Sequence, residues 1–146
     1  GKGGYYFPIS ISAPSAVTDH FTAEYFNTNP CSIYGSVKDP SICVLSQLEY
    51  WILDRSGGIS NVNVTLSWNT GSEVLNLPNL RIARFDGTQW KDHGNGGTTG
   101  GPASGTIATA GTVNSFSPFT LAGINFTNPL PIKLISYKAK QKDESD

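Results

Sequence analysis

Charge is the scarcest commodity in this 146-residue chain. Asp, Glu, Lys and Arg together make up only 14% of it, against roughly a quarter in an ordinary globular domain. The net charge is −1, and the charges concentrate only in the tail KAKQKDESD. Nucleic acid as a partner would need a basic patch, and there is none. No apolar run approaches the ~20 residues of a membrane-spanning helix. Methionine is absent, and histidine and cysteine occur twice each. The cysteines lack Cys-x-x-Cys spacing, so no zinc, redox or other cofactor site is expected. The start, GKGGYYFPIS, has neither an initiator Met nor a long apolar stretch. We therefore expect that a segment before Gly1 has been removed.

What the chain does have is turn chemistry. Sixteen Gly and nine Pro, with many Ser, Thr and Asn, suit short strands joined by frequent turns. Strand candidates recur throughout. YYFPISIS (5–12) carries Pro8, which confines it to an edge or a strand end. HFTAEYF (20–26) alternates Phe21, Ala23 and Tyr25 against Thr22, Glu24 and Phe26. LSQLEYWILDR (45–55) is the most apolar stretch and reads as a central strand. In NVNVTLSWN (61–69), Val62, Val64, Leu66 and Trp68 alternate with polar residues, the pattern of a half-buried strand. GSEVLNLPNL (71–80) reads as a connection with one helical turn. LRIARF (80–85) and TQWKDHG (88–94) are joined by Asp86-Gly87, a strong hairpin signal. GNGGTTGGPASG (94–105) reads as a low-complexity loop, and TIATAGTV (106–113), FSPFTLAGI (116–124) and IKLISYKAK (132–140) complete the set. No segment keeps a 3.6-residue period, so little or no helix is expected. Eight or nine short strands at uneven spacing argue for an all-β fold, an antiparallel, Ig-like β-sandwich.

In chain order, GKGGYYFPISIS, FTAEYFNTNP, LEYWILDR, NVTLSWN, LRIARFDGTQWKDHGN, SFSPFTLAG and NPLPIKLISYKAK form a series. It resembles the β-sandwich module near the C-terminus of large Bacteroidetes surface proteins exported by type IX secretion. The resemblance covers essentially the whole chain. SFSPFTLAG and NPLPIKLISY stand where that family has a SFSPFTLGS-like strand and an NPLPVELLSF-like linker into a following domain. It implies a sandwich module over 1–128, then a linker and the start of a further strand or domain over 129–146. It also implies an extracellular, cell-surface location. Fold resemblance does not fix function.

Catalytic constellations are weakly supported. Trp90 and Asp92 share one face of their strand and His93 the other, so the hairpin does not converge on a nucleophile and base; Trp90 is expected to cap the core and Asp92-His93-Gly94-Asn95 to form a solvated strand end. Ser67 lies in a regular strand without a nucleophile elbow. Glu24 and Glu49 sit inside apolar strands, where pairing with Arg55, Arg81 or Arg84 is the expectation. The acids and amides near Asp92 and at Asn27 and Asn29 match no calcium-ligand spacing.

The expected role is therefore non-enzymatic: a structural or adhesive module whose partners are neighbouring domains of the same polypeptide. A carbohydrate-binding module is the first alternative. Surface glycans would then stack on exposed aromatics, for which Tyr5, Tyr6, Tyr34 and Trp90 are the candidates. The second alternative is a filament subunit, with other copies adding strands to an open sheet edge. Cys31 and Cys43, flanking a Ser/Pro/Gly-rich loop, are expected to form a disulfide contributing about 3 kcal/mol.

Overall fold

The structure, a computed structural model, describes residues 8–125. Tyr5, Tyr6 and the expected linker and strand over 129–146 lie outside the described residues. Ten strands are described: β1 (Ile9–Ile11), β2 (His20–Phe26), β3 (Val44–Leu45), β4 (Tyr50–Gly57), β5 (Val64–Asn69), β6 (Leu80–Phe85), β7 (Trp90–Asp92), β8 (Thr98–Gly101), β9 (Ser104–Ala108) and β10 (Phe119–Gly123). One helical turn, α1 (Cys31–Tyr34), interrupts them. Two antiparallel sheets result, ordered β1-β5-β9-β8 and β2-β4-β10-β6-β7, with β3 also paired to β10. The all-β sandwich is as expected. The GSEVLNLPNL connection holds two 3-10 turns, Thr70–Ser72 and Leu77–Asn79.

The strands beyond the expected set come from segments read as loops, except that Leu45 was expected to open the central strand, which begins only at Tyr50. Val44-Leu45 leaves the cysteine loop to pair with Gly123 and Ala122 of β10. The glycine-rich stretch forms β8 and the start of β9, whose pairing closes on Pro102-Ala103. Glycine is needed there: a Cβ at Gly105 would lie 2.6 Å from the Trp68 ring and 2.1 Å from Thr99 O. The indole of Trp68 crosses β9 at that point and donates to Gly101 O at 2.8 Å.

Alternation fills the space between the sheets. Val62, Val64, Leu66 and Trp68 from one sheet meet Tyr25, Trp51, Leu53, Ile82, Phe119 and Leu121 from the other. The SFSPFTLAG segment locks in beside them. Ser117 Oγ accepts from Leu53 N at 2.8 Å, and Phe116 packs edge-on against Phe21 under the Arg55 guanidinium.

Antiparallel pairing orients the ends. β1 runs against β5 and β10 against β6, and the 70–79 connection joins β5 to β6. β1 therefore begins and β10 ends at one end of the sandwich, the end crossed by 70–79. The opposite, far end carries the connections 12–19, 58–63, 86–89 and 109–118.

Candidate functional site

The 81–95 hairpin is where sequence chemistry is densest, and it resolves into structure. Asp86 Oδ1 accepts from Thr88 N, Thr88 Oγ1 and Gln89 N at 2.8–2.9 Å. Those bonds, backbone ones foremost, hold its carboxyl down to a pKa of about 2. Trp90, a candidate sugar contact, has 0% exposure. It lies on the outer face of the larger sheet, beneath the excursion from Asn27 to Glu49, with Ile42, Leu45, Ala83 and Ala122. Its indole N–H donates to Gly35 O at 2.9 Å. Main-chain bonds Trp90 N to Val37 O and Asp39 N to Trp90 O, both 2.8 Å, hold the excursion against β7. The burial expected of this Trp is met, and the sugar-contact alternative fails because residues distant in sequence fold over the indole.

Asp39, which patterning did not single out, is the polar clamp of this region. Its carboxylate accepts from Asp92 N at 2.8 Å and pairs with Lys91 Nζ at 3.2 Å. Ser41 Oγ donates to Asp92 Oδ2 at 2.8 Å. The Asp39-Pro40 dipeptide, a turn initiator, was the available signal. His93 is no solvated strand end. Its Nε2 accepts from Arg84 Nε at 3.3 Å, and burial, then the Arg84 charge, hold its pKa below the usual value. This is a neutral imidazole in a structural contact.

The expected disulfide is not formed: Cys31 and Cys43 are free, half-buried thiols. The loop is closed instead by the β7 clamp and by Cys43 N donating to Gly123 O at 2.9 Å. Both cysteines line a cavity of about 160 Å³ with Ser36, Lys38, Val44, Leu45 and Gln47. Burial pushes the Cys31 thiol up, partly offset by Lys38, which favours the thiol over the nucleophilic thiolate.

Tyr34 is the remaining aromatic candidate within the described residues. It is half-buried and meets Tyr50 at 85°, Phe85 at 38° and Trp90 at 85°. Rings inclined like this pack against one another and offer no flat platform to a sugar face.

Glu49 corrects the ion-pair expectation. Arg55 donates to Ser60 O and Asn61 Oδ1, Arg81 to Pro78 O and Leu80 O, and Arg84 to His93 and Phe85 O. Glu49, 2% exposed, instead accepts from Tyr25 Oη at 2.8 Å through Oε1. Its Oε2 is buried without a hydrogen-bond partner. Burial raises the Glu49 pKa, and the Ser72 hydroxyl and Tyr25 phenol offset that only in part.

The far end shows a feature that strand periodicity does not reveal. Val17 is 100% exposed and Ile59 86%, on two connections tied together by polar bonds. Asp19 Oδ2 accepts from both Ser60 N and Ser60 Oγ. Ser15 N and Ser15 Oγ each contact Ser60 Oγ at 2.8 Å. Apart from the engaged Asp19, neither 12–19 nor 58–63 carries a charged residue. The sequence signal was an aliphatic, Val17 or Ile59, set among Ser, Thr and Gly in each turn.

Compared with models of known protein families, with curated proteins and with solved structures, the chain gives no match. Among the described residues no group of three or more His, Cys, Asp or Glu could hold a metal ion, and no helix is long and apolar enough to cross a membrane.

Proposed function

We propose that this chain is a non-enzymatic adhesive and structural module of a secreted, cell-surface-attached bacterial protein. The carrying observation is polarity of layout. β1 begins and β10 ends at one end, where the neighbouring domains that the motif resemblance implies would attach. The opposite end offers Val17 and Ile59 to the surroundings, on turns already ordered by Asp19 and Ser60. Exposed aliphatics on turns that are ordered before binding would meet a partner at little ordering cost. The surface location rests on the motif resemblance, from GKGGYYFPISIS to NPLPIKLISYKAK.

The test is attachment of protein-coated beads to apolar and to hydrophilic supports under flow. Val17→Ser with Ile59→Ser is expected to reduce attachment to the apolar support and leave melting unchanged, because both side chains are already in water. Equal attachment of wild type and double variant would remove the adhesive reading. Sedimentation over a wide concentration range separates it from the filament alternative, which requires self-association. A glycan array does the same for the carbohydrate-binding alternative.

A further inference from the structure

Residue 95 sits where the chain changes sheets. Gly94 O still accepts from Ile82 N of the larger sheet at 3.1 Å. Gly96 N already donates to Ala108 O of the smaller sheet at 2.8 Å, and Gly97 O accepts from Ala108 N at 3.0 Å. Between them, the half-buried Asn95 side chain ties in a third segment. Its Nδ2 donates to Leu77 O at 3.2 Å and to Leu80 O at 3.1 Å, while its Oδ1 accepts from Gly97 N at 2.9 Å. A primary amide is the short side chain that supplies two donors and an acceptor at once. The next residue is dictated separately. A Cβ at Gly96 would lie 2.1 Å from Thr109 O, so the backbones approach too closely for any side chain.

Two independent structural demands thus produce Asn95-Gly96, the one Asn-Gly pair in the sequence. This pair is self-reactive, because glycine leaves its own nitrogen unshielded beside the asparagine amide. The Gly96 nitrogen gives up its proton to solvent and attacks Asn95 Cγ. The new C–N bond closes a succinimide ring, and the side-chain nitrogen takes up a proton and leaves as ammonia. Water then opens the ring, at Cγ to give aspartate or at the main-chain carbonyl to give isoaspartate, which lengthens the backbone by one methylene. In the folded chain both reacting groups are engaged: the Gly96 N–H is held by Ala108 O, and the Asn95 amide by its three bonds.

We propose that Asn95 is a covalent modification site guarded by the fold. It converts to aspartate or isoaspartate when the 94–97 crossover opens, and the product prevents the crossover from closing as before. Aspartate sets a carboxylate against Leu77 O and Leu80 O, two acceptors in place of two donor–acceptor pairs. Isoaspartate also displaces Gly96 and Gly97 from their bonds to Ala108. Either product loosens the Leu77–Asn79 turn, which packs beside β8. Each opening therefore carries a small chance of permanent loosening, and the modification records how often that end of the sandwich has opened. The inference does not depend on the adhesive reading of the far end.

Peptide-mapping mass spectrometry of the whole chain tests it, after ageing at neutral pH either folded or in denaturant. Conversion at residue 95 is expected to run roughly tenfold faster in the unfolded chain. Gly96→Ala should slow it in denaturant, a comparison that needs no folding. Equal rates in the folded and unfolded chain, or no effect of Gly96→Ala, would overturn the proposal. The aged folded fraction with one added negative charge, isolated by ion exchange, should melt lower than the unaged protein and exchange the amides of Gly96 and Ala108 faster. Asn95→Asp should reproduce these changes, and the aged fraction carries the comparison alone if that variant does not fold. A converted protein that melts and exchanges like the unconverted one would overturn the proposal as well.

Discussion

Between the sheets, Val62, Val64, Leu66 and Trp68 reach the core by strict alternation along one stretch of chain. Outside the larger sheet, Phe85 and Trp90 face each other across the β6–β7 hairpin, and Tyr34 and Ile42 reach them only because residues 27–49 leave β2 and fold back over β6, β7 and β10. The first cluster is set by local periodicity and needs only that the two sheets stack. The second depends on a few long-range bonds, chiefly those of Trp90 and Asp39. One sheet thus serves two cores of different origin, and the outer one should open first. Local opening of this kind follows where protection rests on few contacts.

Trp51→Ala and Trp90→Ala set the comparison most sharply. Both indoles have 0% exposure, and Trp→Ala in a core costs about 3–5 kcal/mol. Trp51→Ala should lower the stability of the whole domain, seen as a single shifted denaturation curve for all probes. Trp90→Ala should sit at the lower end of that range and act regionally. Labelling of Cys31 and Cys43 by a thiol reagent would accelerate strongly, while amides of β5 and β9 stay protected. If both variants unfold everything together, the two clusters are one cooperative unit and the distinction fails.

Asp39→Ala probes the same boundary more gently. It removes the acceptor of Asp92 N and the partner of Lys91. The Lys91 side chain is 42% exposed, so the ion pair itself contributes little. Losing the acceptor for a part-buried N–H should cost on the order of 1–2 kcal/mol. Faster thiol labelling with only a small drop in melting temperature is the expected result. Asp39→Asn should recover part of it, since the amide oxygen can still accept from Asp92 N.

The same contrast explains what could be read without a structure. The sandwich, the Asp86-Gly87 hairpin and the inward face of 61–69 follow from period-2 patterning and turn chemistry, which act over a few residues. The residues that cover Trp90, the role of Asp39 and the state of the two cysteines depend on how 27–49 returns to the sheet. Those residues carry no sustained period, so nothing local encodes that path. The glycine-rich β8–β9 hairpin was hidden for a different reason. Its glycines serve the passage of Trp68 across β9, yet in sequence they look like a flexible loop. At the far end, Val17 and Ile59 left only the weak mark of an aliphatic set in a polar turn, because exposure of a single side chain has no period.

Glu49 sits at the edge of the inter-sheet core, and its protonation offers the finest probe of the comparison. Its folded pKa is raised above the ordinary 4.5 by burial. Below that value the carboxyl is protonated whether the chain is folded or not, and its contribution is constant. As pH climbs from there through the raised folded pKa, ionisation favours the unfolded chain. Stability should therefore fall across that window and level off above it. Asp86 acts in the opposite sense in a separate window: its stabilisation is lost as pH falls from 3.8 to about 2. Melting followed from pH 2 to 8 should thus rise first and then decline. Glu49→Gln keeps the acceptor for Tyr25 Oη and removes the buried charge. It should abolish the decline and gain on the order of 1 kcal/mol at neutral pH. Thiol labelling of Cys31 and Cys43 should not follow this titration, because Glu49 belongs to the inter-sheet core. A parallel change in labelling would mean that the outer cluster opens with the inner one.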